Sequence, residues 1–121
     1  MATGLCVPVA AEIILYGNAV NDGVVMTPGS QGDSLVSTQL LTVGDSEFGE
    51  LAVSFGDSVS TNLVSVGRNG SGGHLDISGA NWNGEGLIVG RSGAGSATIR
   101  DSAQVELRLG AVVGSLLDDL P

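Results

Sequence analysis

"TVGDSEFGE" (residues 42–50), "SVGRNGSGG" (65–73) and "IVGRSGAGS" (88–96) follow one another at a fixed step of 23 residues, and no other feature constrains the fold as much. With the glycine after the apolar residue as a marker, the copies fall at Gly17, Gly44, Gly67, Gly90 and Gly114, at intervals of 27, 23, 23 and 24 residues. Three residues before each marker stands Ile14, Leu41, Val64, Leu87 or Ala111; one before it stands Tyr16, Val43, Val66, Val89 or Val113. These i, i+2 pairs have the period of a strand with one buried face. A second pair follows each marker: Val24 and Met26, Leu51 and Val53, Leu75 and Ile77, Ala97 and Ile99. A third column reads Val36, Val59, Trp82 and Val105.

Each copy therefore holds three short strand-like segments in about 23 residues, too few for a hairpin-built blade and without the 3.6-residue period of a helix. The reading is an all-β parallel β-helix, or β-solenoid: each copy is one coil, with three strands to a coil and four to five coils in all. Coils stack at the strand spacing of roughly 4.8 Å. Equivalent apolar residues then form ladders up the interior. Residues 1–39 are expected to form an N-terminal cap and an irregular first coil, 40–114 the regular coils, and 115–121 a C-terminal cap or contact segment. The recurring glycines, Gly44, Gly67 and Gly90 with Gly49, Gly72 and Gly95 five residues on, are expected at corners where the chain turns sharply between sheets. "GRNGSGG" leads into another strand rather than a helix, so a phosphate-binding loop is not supported.

The run "VGRNGSGG" continuing into "LDISGA", and "ATIRDSAQV" in the next copy, resembles the glycine-rich repeats of bacterial autotransporter passenger domains and of surface proteins with PEP-CTERM sorting signals. The resemblance covers Leu40 to Gly114 clearly and Ile14 to Gln39 weakly. It implies a right-handed, three-sided β-helix at a bacterial cell surface or outside the cell, serving as a stalk, adhesin or matrix element.

Composition fits such a coil. Apolar residues make up 42%, almost all aliphatic, and there are 20 glycines and only three prolines. The net charge is −9; residues 1–67 carry seven acids and no base, and the chain has no lysine. Such a surface repels phosphate backbones and anionic lipid, so neither nucleic acid nor a membrane is an expected partner. The segment "MATGLCVPVAAEIILYG" lacks a positive leader and is interrupted by Glu12, so it does not read as a signal peptide. No stretch reaches the ~18 apolar residues of a membrane span. Cys6 stands alone and has no partner for an internal disulfide.

A site shared between coils must appear as a column, and the acids do not line up. Asp45, Glu47, Glu50, Asp57, Asp76, Asp101, Glu106 and Glu85 all stand at different offsets from their marker glycines. Calcium binding and glycoside cleavage both need converging carboxylates. Opposite charges do line up: Asp45 with Arg68 and Arg91, and Glu85 with Arg108, which read as surface ion pairs. His74 is the sole histidine, and neither Ser71 nor Ser78 is placed to pair with it; it reads as a bulge residue at a corner, and Trp82 as core. No catalytic, cofactor-binding or metal-binding residues and no cofactor are assigned, and the chain is read as no enzyme. Two functions remain: a structural building block that self-associates through its coil ends, as a filament or closed homo-oligomer, or a carbohydrate-binding or carbohydrate-degrading β-helix whose partner is a surface glycan. The ends, "MATGLCVPVAA" and "GAVVGSLLDDLP", are too apolar to be good solubilising covers.

Overall fold

The computed structural model describes residues 12–68, 72–90 and 94–113. Among them there is no helix, and the chain is a β-solenoid of about three turns. The strands run β1 (Ile14–Gly17), β2 (Ala19–Asn21), β3 (Val24–Val25), β4 (Gly29–Ser30), β5 (Ser34–Val36), β6 (Leu40–Val43), β7 (Gly49–Val53), β8 (Ser58–Ser60), β9 (Leu63–Val66), β10 (Gly73–Ser78), β11 (Asn81–Val89), β12 (Gly95–Arg100) and β13 (Gln104–Val113). They form two sheets. One stacks β12, β10, β7, β1 and β4; the other holds the remaining eight, with β8 and β9 lying end to end along the single long strand β11.

Among β5 to β13 the strands pair with one another only in parallel, because each coil lays the same segment on its predecessor. The ladders Leu41–Val64–Leu87–Ala111 and Val43–Val66–Val89–Val113 form as the spacing requires. So do Leu51–Leu75–Ala97, Val53–Ile77–Ile99 and Val59–Trp82–Val105. Of these, Leu41, Val43, Leu51, Val53, Val64, Val66, Leu75, Ile77 and Val89 are at most 1% exposed. Each such side chain contributes about 1.5–3 kcal/mol by leaving water. Trp82, buried in a column of valines, donates its indole N–H to Thr61 Oγ1 at 3.0 Å, which satisfies its one polar group.

Three expectations are corrected. The third column begins with Leu35, not Val36: Leu35 stacks on Val59 and is buried, whereas Val36 is exposed. The coil is 24 residues long there because the bend between β5 and β6 holds one residue more than its successor. Before β5 the first copy does not stack in parallel. β1 runs antiparallel on β7, and β2 antiparallel on β6, so Ile13 and Leu15 point inward while Tyr16 is exposed. Apolar alternation reports a buried face but not chain direction. Val24 and Met26 likewise do not repeat Leu51 and Val53: Val24 lies in β3, which hairpins back on β2 through Asp22 and Gly23, both at positive φ (51° and 86°). An Asp-Gly pair with that geometry is the two-residue turn that matches strand twist. The third correction concerns the other face of β6 and β9. Thr42 and Ser65 are 2% and 6% exposed, so these strands are covered on both faces.

The reverse-running layer is fixed by two polar side chains. Asp22 takes five hydrogen bonds from the bend at 37–40, from the backbone N–H of Thr38 (2.9 Å), Gln39 (2.8 Å) and Leu40 (3.0 Å) and the hydroxyls of Thr38 (2.9 Å) and Ser37 (3.3 Å). These donors, led by the Thr38 amide, hold its carboxyl well below the usual carboxylate range. Asn18 Oδ1 accepts from the amides of Asp45 (2.8 Å) and Ser46 (3.0 Å) at the first corner.

Candidate functional site

The corners explain the glycines. Gly17, Gly44, Gly67 and Gly90 have φ between 76° and 81°, a region disfavoured for residues with a Cβ. The backbones also approach closely. A Cβ on Gly67 would overlap the carbonyl oxygen of Ala94 in the next coil, and a Cβ on Gly73 would overlap that of Val43 in the previous one. That Val43 oxygen accepts the Gly67 N–H at 2.9 Å, while Ala94 accepts the Gly73 N–H at 2.9 Å. The glycine stacked on Gly49 and Gly95 is Gly73 rather than Gly72, because the third copy's corner is one residue longer. These second glycines start strands; close approach, not a left-handed turn, is what demands them.

Past the corner, the strands of the five-stranded sheet alternate inward apolar residues with outward polar ones. Register places Tyr16, Glu50, His74 and Ser96 in one transverse row, and Ile14, Ala52, Asp76 and Thr98 in the next. His74 is a regular residue of β10, half-buried on the outer face, not a bulge at a corner. A serine does reach it, but from the next coil: His74 Nδ1 and Ser96 Oγ are 2.6 Å apart. Ser71 lies outside the described residues. Ser78 is bonded elsewhere, its hydroxyl donating to Asp101 at 2.5 Å.

Asp76 shares the outer face with Glu50, one strand over and two residues along, a diagonal that a comparison of equal offsets misses. It is engaged by Arg100, whose Nε and Nη2 donate to its two carboxylate oxygens at 3.1 and 3.0 Å. The guanidinium, through these bonds and then its charge, with a smaller contribution from His74, lowers the Asp76 carboxyl below its ordinary value. A carboxylate held ionised in this way is no proton donor. With Arg100 about half exposed, the pair adds about 0–1 kcal/mol of stability. Glu85 and Arg108 do meet, at 3.0 Å, as their shared offset requires. Arg91, Cys6 and the 115–121 segment lie outside the described residues. No group of three metal-ligating side chains occurs among the described residues.

A shallow groove of about 390 Å³ runs along the row, lined by Phe48, Glu50, Gly72, Gly73, His74, Ala94, Gly95 and Ser96. A smaller one, about 200 Å³, lies on the other sheet among Ser60, Thr61, Asn83, Glu85, Glu106 and Arg108. The chain matches no protein-family model, no curated protein and no solved structure. The functional reading therefore rests on geometry.

Proposed function

We propose that this chain is a structural β-solenoid that self-associates through one end, as a building block of a bacterial surface or extracellular assembly. In this reading the coil is right-handed, as the resemblance to autotransporter and PEP-CTERM repeats implies, with three strand segments to a coil and four to five coils, as the 23-residue step implies. The observation that carries it is the difference between the two ends. At the N-terminal end the outermost strands among the described residues, β3, β4 and β5, are only two or three residues long, and β3 and β4 belong to an antiparallel layer. Short, reversed edges of this kind resist further pairing.

At the other end, β12 and β13 are six and ten residues long, and among the described residues no strand pairs with their outer edges. Ile99 and Leu109 there are 50% and 76% exposed. A long regular edge is a template for another strand. Because the described N-terminal end offers no long parallel edge, only the three-residue β5, pairing of like ends into a closed dimer is favoured over head-to-tail growth.

Sedimentation over a wide concentration range tests this, with Thr98→Lys and Leu109→Lys combined to place charge on the edge strands. Wild type is expected to dimerise and the variant to remain monomeric. A wild type that stays monomeric at every concentration sinks the reading; unlimited polymer growth replaces the like-end contact with head-to-tail association.

A further inference from the structure

The groove beside Phe48 combines features that a purely structural surface does not need. Phe48 is 58% exposed at the corner entering β7, its ring lying beside Gly72 of the next coil with most of its surface free. At Gly72, Gly73 and Gly95 the groove carries no side chain, so a ligand ring can approach the backbone there. Along one wall runs the row Glu50–His74–Ser96, one polar side chain from each of three successive coils.

We infer that this groove binds a neutral glycan, one pyranose ring stacking on Phe48 and the hydroxyls of the chain meeting the Glu50–His74–Ser96 row. Three observations select that ligand class. An exposed aromatic ring beside a polar row suits a molecule with an apolar ring face and a polar rim, the anatomy of a pyranose. The row repeats at the strand spacing of roughly 4.8 Å, about the advance of one sugar along an extended glycan, so a chain lying parallel to the solenoid axis meets one polar group per residue. Its members are complementary to hydroxyls: the Glu50 carboxylate accepts, Ser96 donates or accepts, and His74, with Nδ1 engaged by Ser96, keeps its other ring nitrogen for the ligand. Charge decides between glycan types. The row contains Glu50 and the chain carries −9, so uronate and sulfated polymers are repelled and neutral ones are not.

The site lies on a sheet face and does not depend on self-association; Ser96 is on β12, and a partner strand at that edge would lengthen the row rather than cover it.

The test is an amide chemical-shift titration of the full chain with cellohexaose, mannohexaose and, as the anionic counterpart, hexagalacturonate. It is run on wild type, Phe48→Ala, His74→Ala and, as a control for exposed aromatics in general, Phe55→Ala, which removes the equally exposed ring beside Gly79 at the far end of β7. At least one neutral hexasaccharide is expected to shift the amides of Glu50, His74 and Ser96, with affinity falling about tenfold in Phe48→Ala and unchanged in Phe55→Ala. Should Phe48→Ala prove unfolded, the same loss in His74→Ala carries the point. Absence of shifts with both neutral sugars, equal losses in Phe48→Ala and Phe55→Ala, or preference for hexagalacturonate would each overturn the inference. Repeating the titration on the Thr98→Lys, Leu109→Lys protein separates failure here from failure of the self-association reading.

Discussion

Replacing single glycines by alanine separates the two demands that a corner makes on its backbone. Gly32 has φ of 85°, and a Cβ there would meet nothing within 4 Å, so Gly32→Ala faces only the left-handed dihedral. That costs about 1–2 kcal/mol. Gly73 lies outside the left-handed region, but its Cβ would overlap the Val43 carbonyl that accepts the Gly67 N–H. Overpacking costs about 1–3 kcal/mol, and displacing the carbonyl leaves a buried donor unpaired for about 1–3 kcal/mol more. Gly67 combines both conditions, with φ of 80° and overlap with the Ala94 carbonyl. Gly67→Ala is therefore expected to lose about 3–8 kcal/mol, a large part of the total stability of a small domain. The measurement is the urea midpoint and slope of each variant against wild type. The order Gly67→Ala worst, Gly73→Ala next and Gly32→Ala mildest is required. Equal losses in Gly67→Ala and Gly32→Ala would show that the dihedral alone matters and that the coils do not touch at the corner as described.

Further outcomes follow from the polar anchors and the covered faces. Asp22→Ala should lower the urea midpoint at neutral pH by releasing the 37–40 bend, and Asp22→Asn, which tolerates φ of 51° and keeps one carbonyl acceptor, should lower it less. Because the Asp22 carboxyl is held low in the fold, its stabilisation is fully present above the unfolded value of about 4 and fades as pH falls toward the depressed one, so the wild-type advantage over Asp22→Ala should shrink near pH 2. Asp57 is buried, with Oδ2 accepting from the Ser54 amide at 2.6 Å and Oδ1 unpartnered among the described residues. Burial raises its carboxyl above the ordinary 3.8 against the pull of the Ser54 amide, with Asp33 and Glu12 adding to the rise. Stability from this group is thus lost as pH climbs through the raised value, and Asp57→Asn should flatten that decline in melts taken between about pH 4 and 8. Ser65→Asp should destabilise by several kcal/mol, as should Val66→Asp, whereas exposed Ser58→Asp should cost little in the same melts.

The 23-residue step, the inward identities of Leu41, Val64 and Leu87, and the corner glycines at positive φ were all legible in the chain itself. The reason is physical: in a parallel stack, equivalent residues share an environment, so one coil's requirements are written again in the next. The same logic gave the Glu85–Arg108 pair, whose members occupy one offset. It could not give Asp76–Arg100, which crosses between offsets, nor the contact of His74 with Ser96, whose offsets differ by one because the third corner is one residue longer. The direction of the first strands was hidden as well, since Ile13–Leu15 and Ile14–Tyr16 alternate equally well in either sense. An Asp-Gly pair stands at 22–23, but only the tertiary structure shows the chain turning there and running backwards over β6 and β7, clasped by Asn18 and Asp22. Burial of Thr42 and Ser65 belongs there too: alternation in sequence says which residues face the interior, while only the packed molecule decides whether the opposite face meets water.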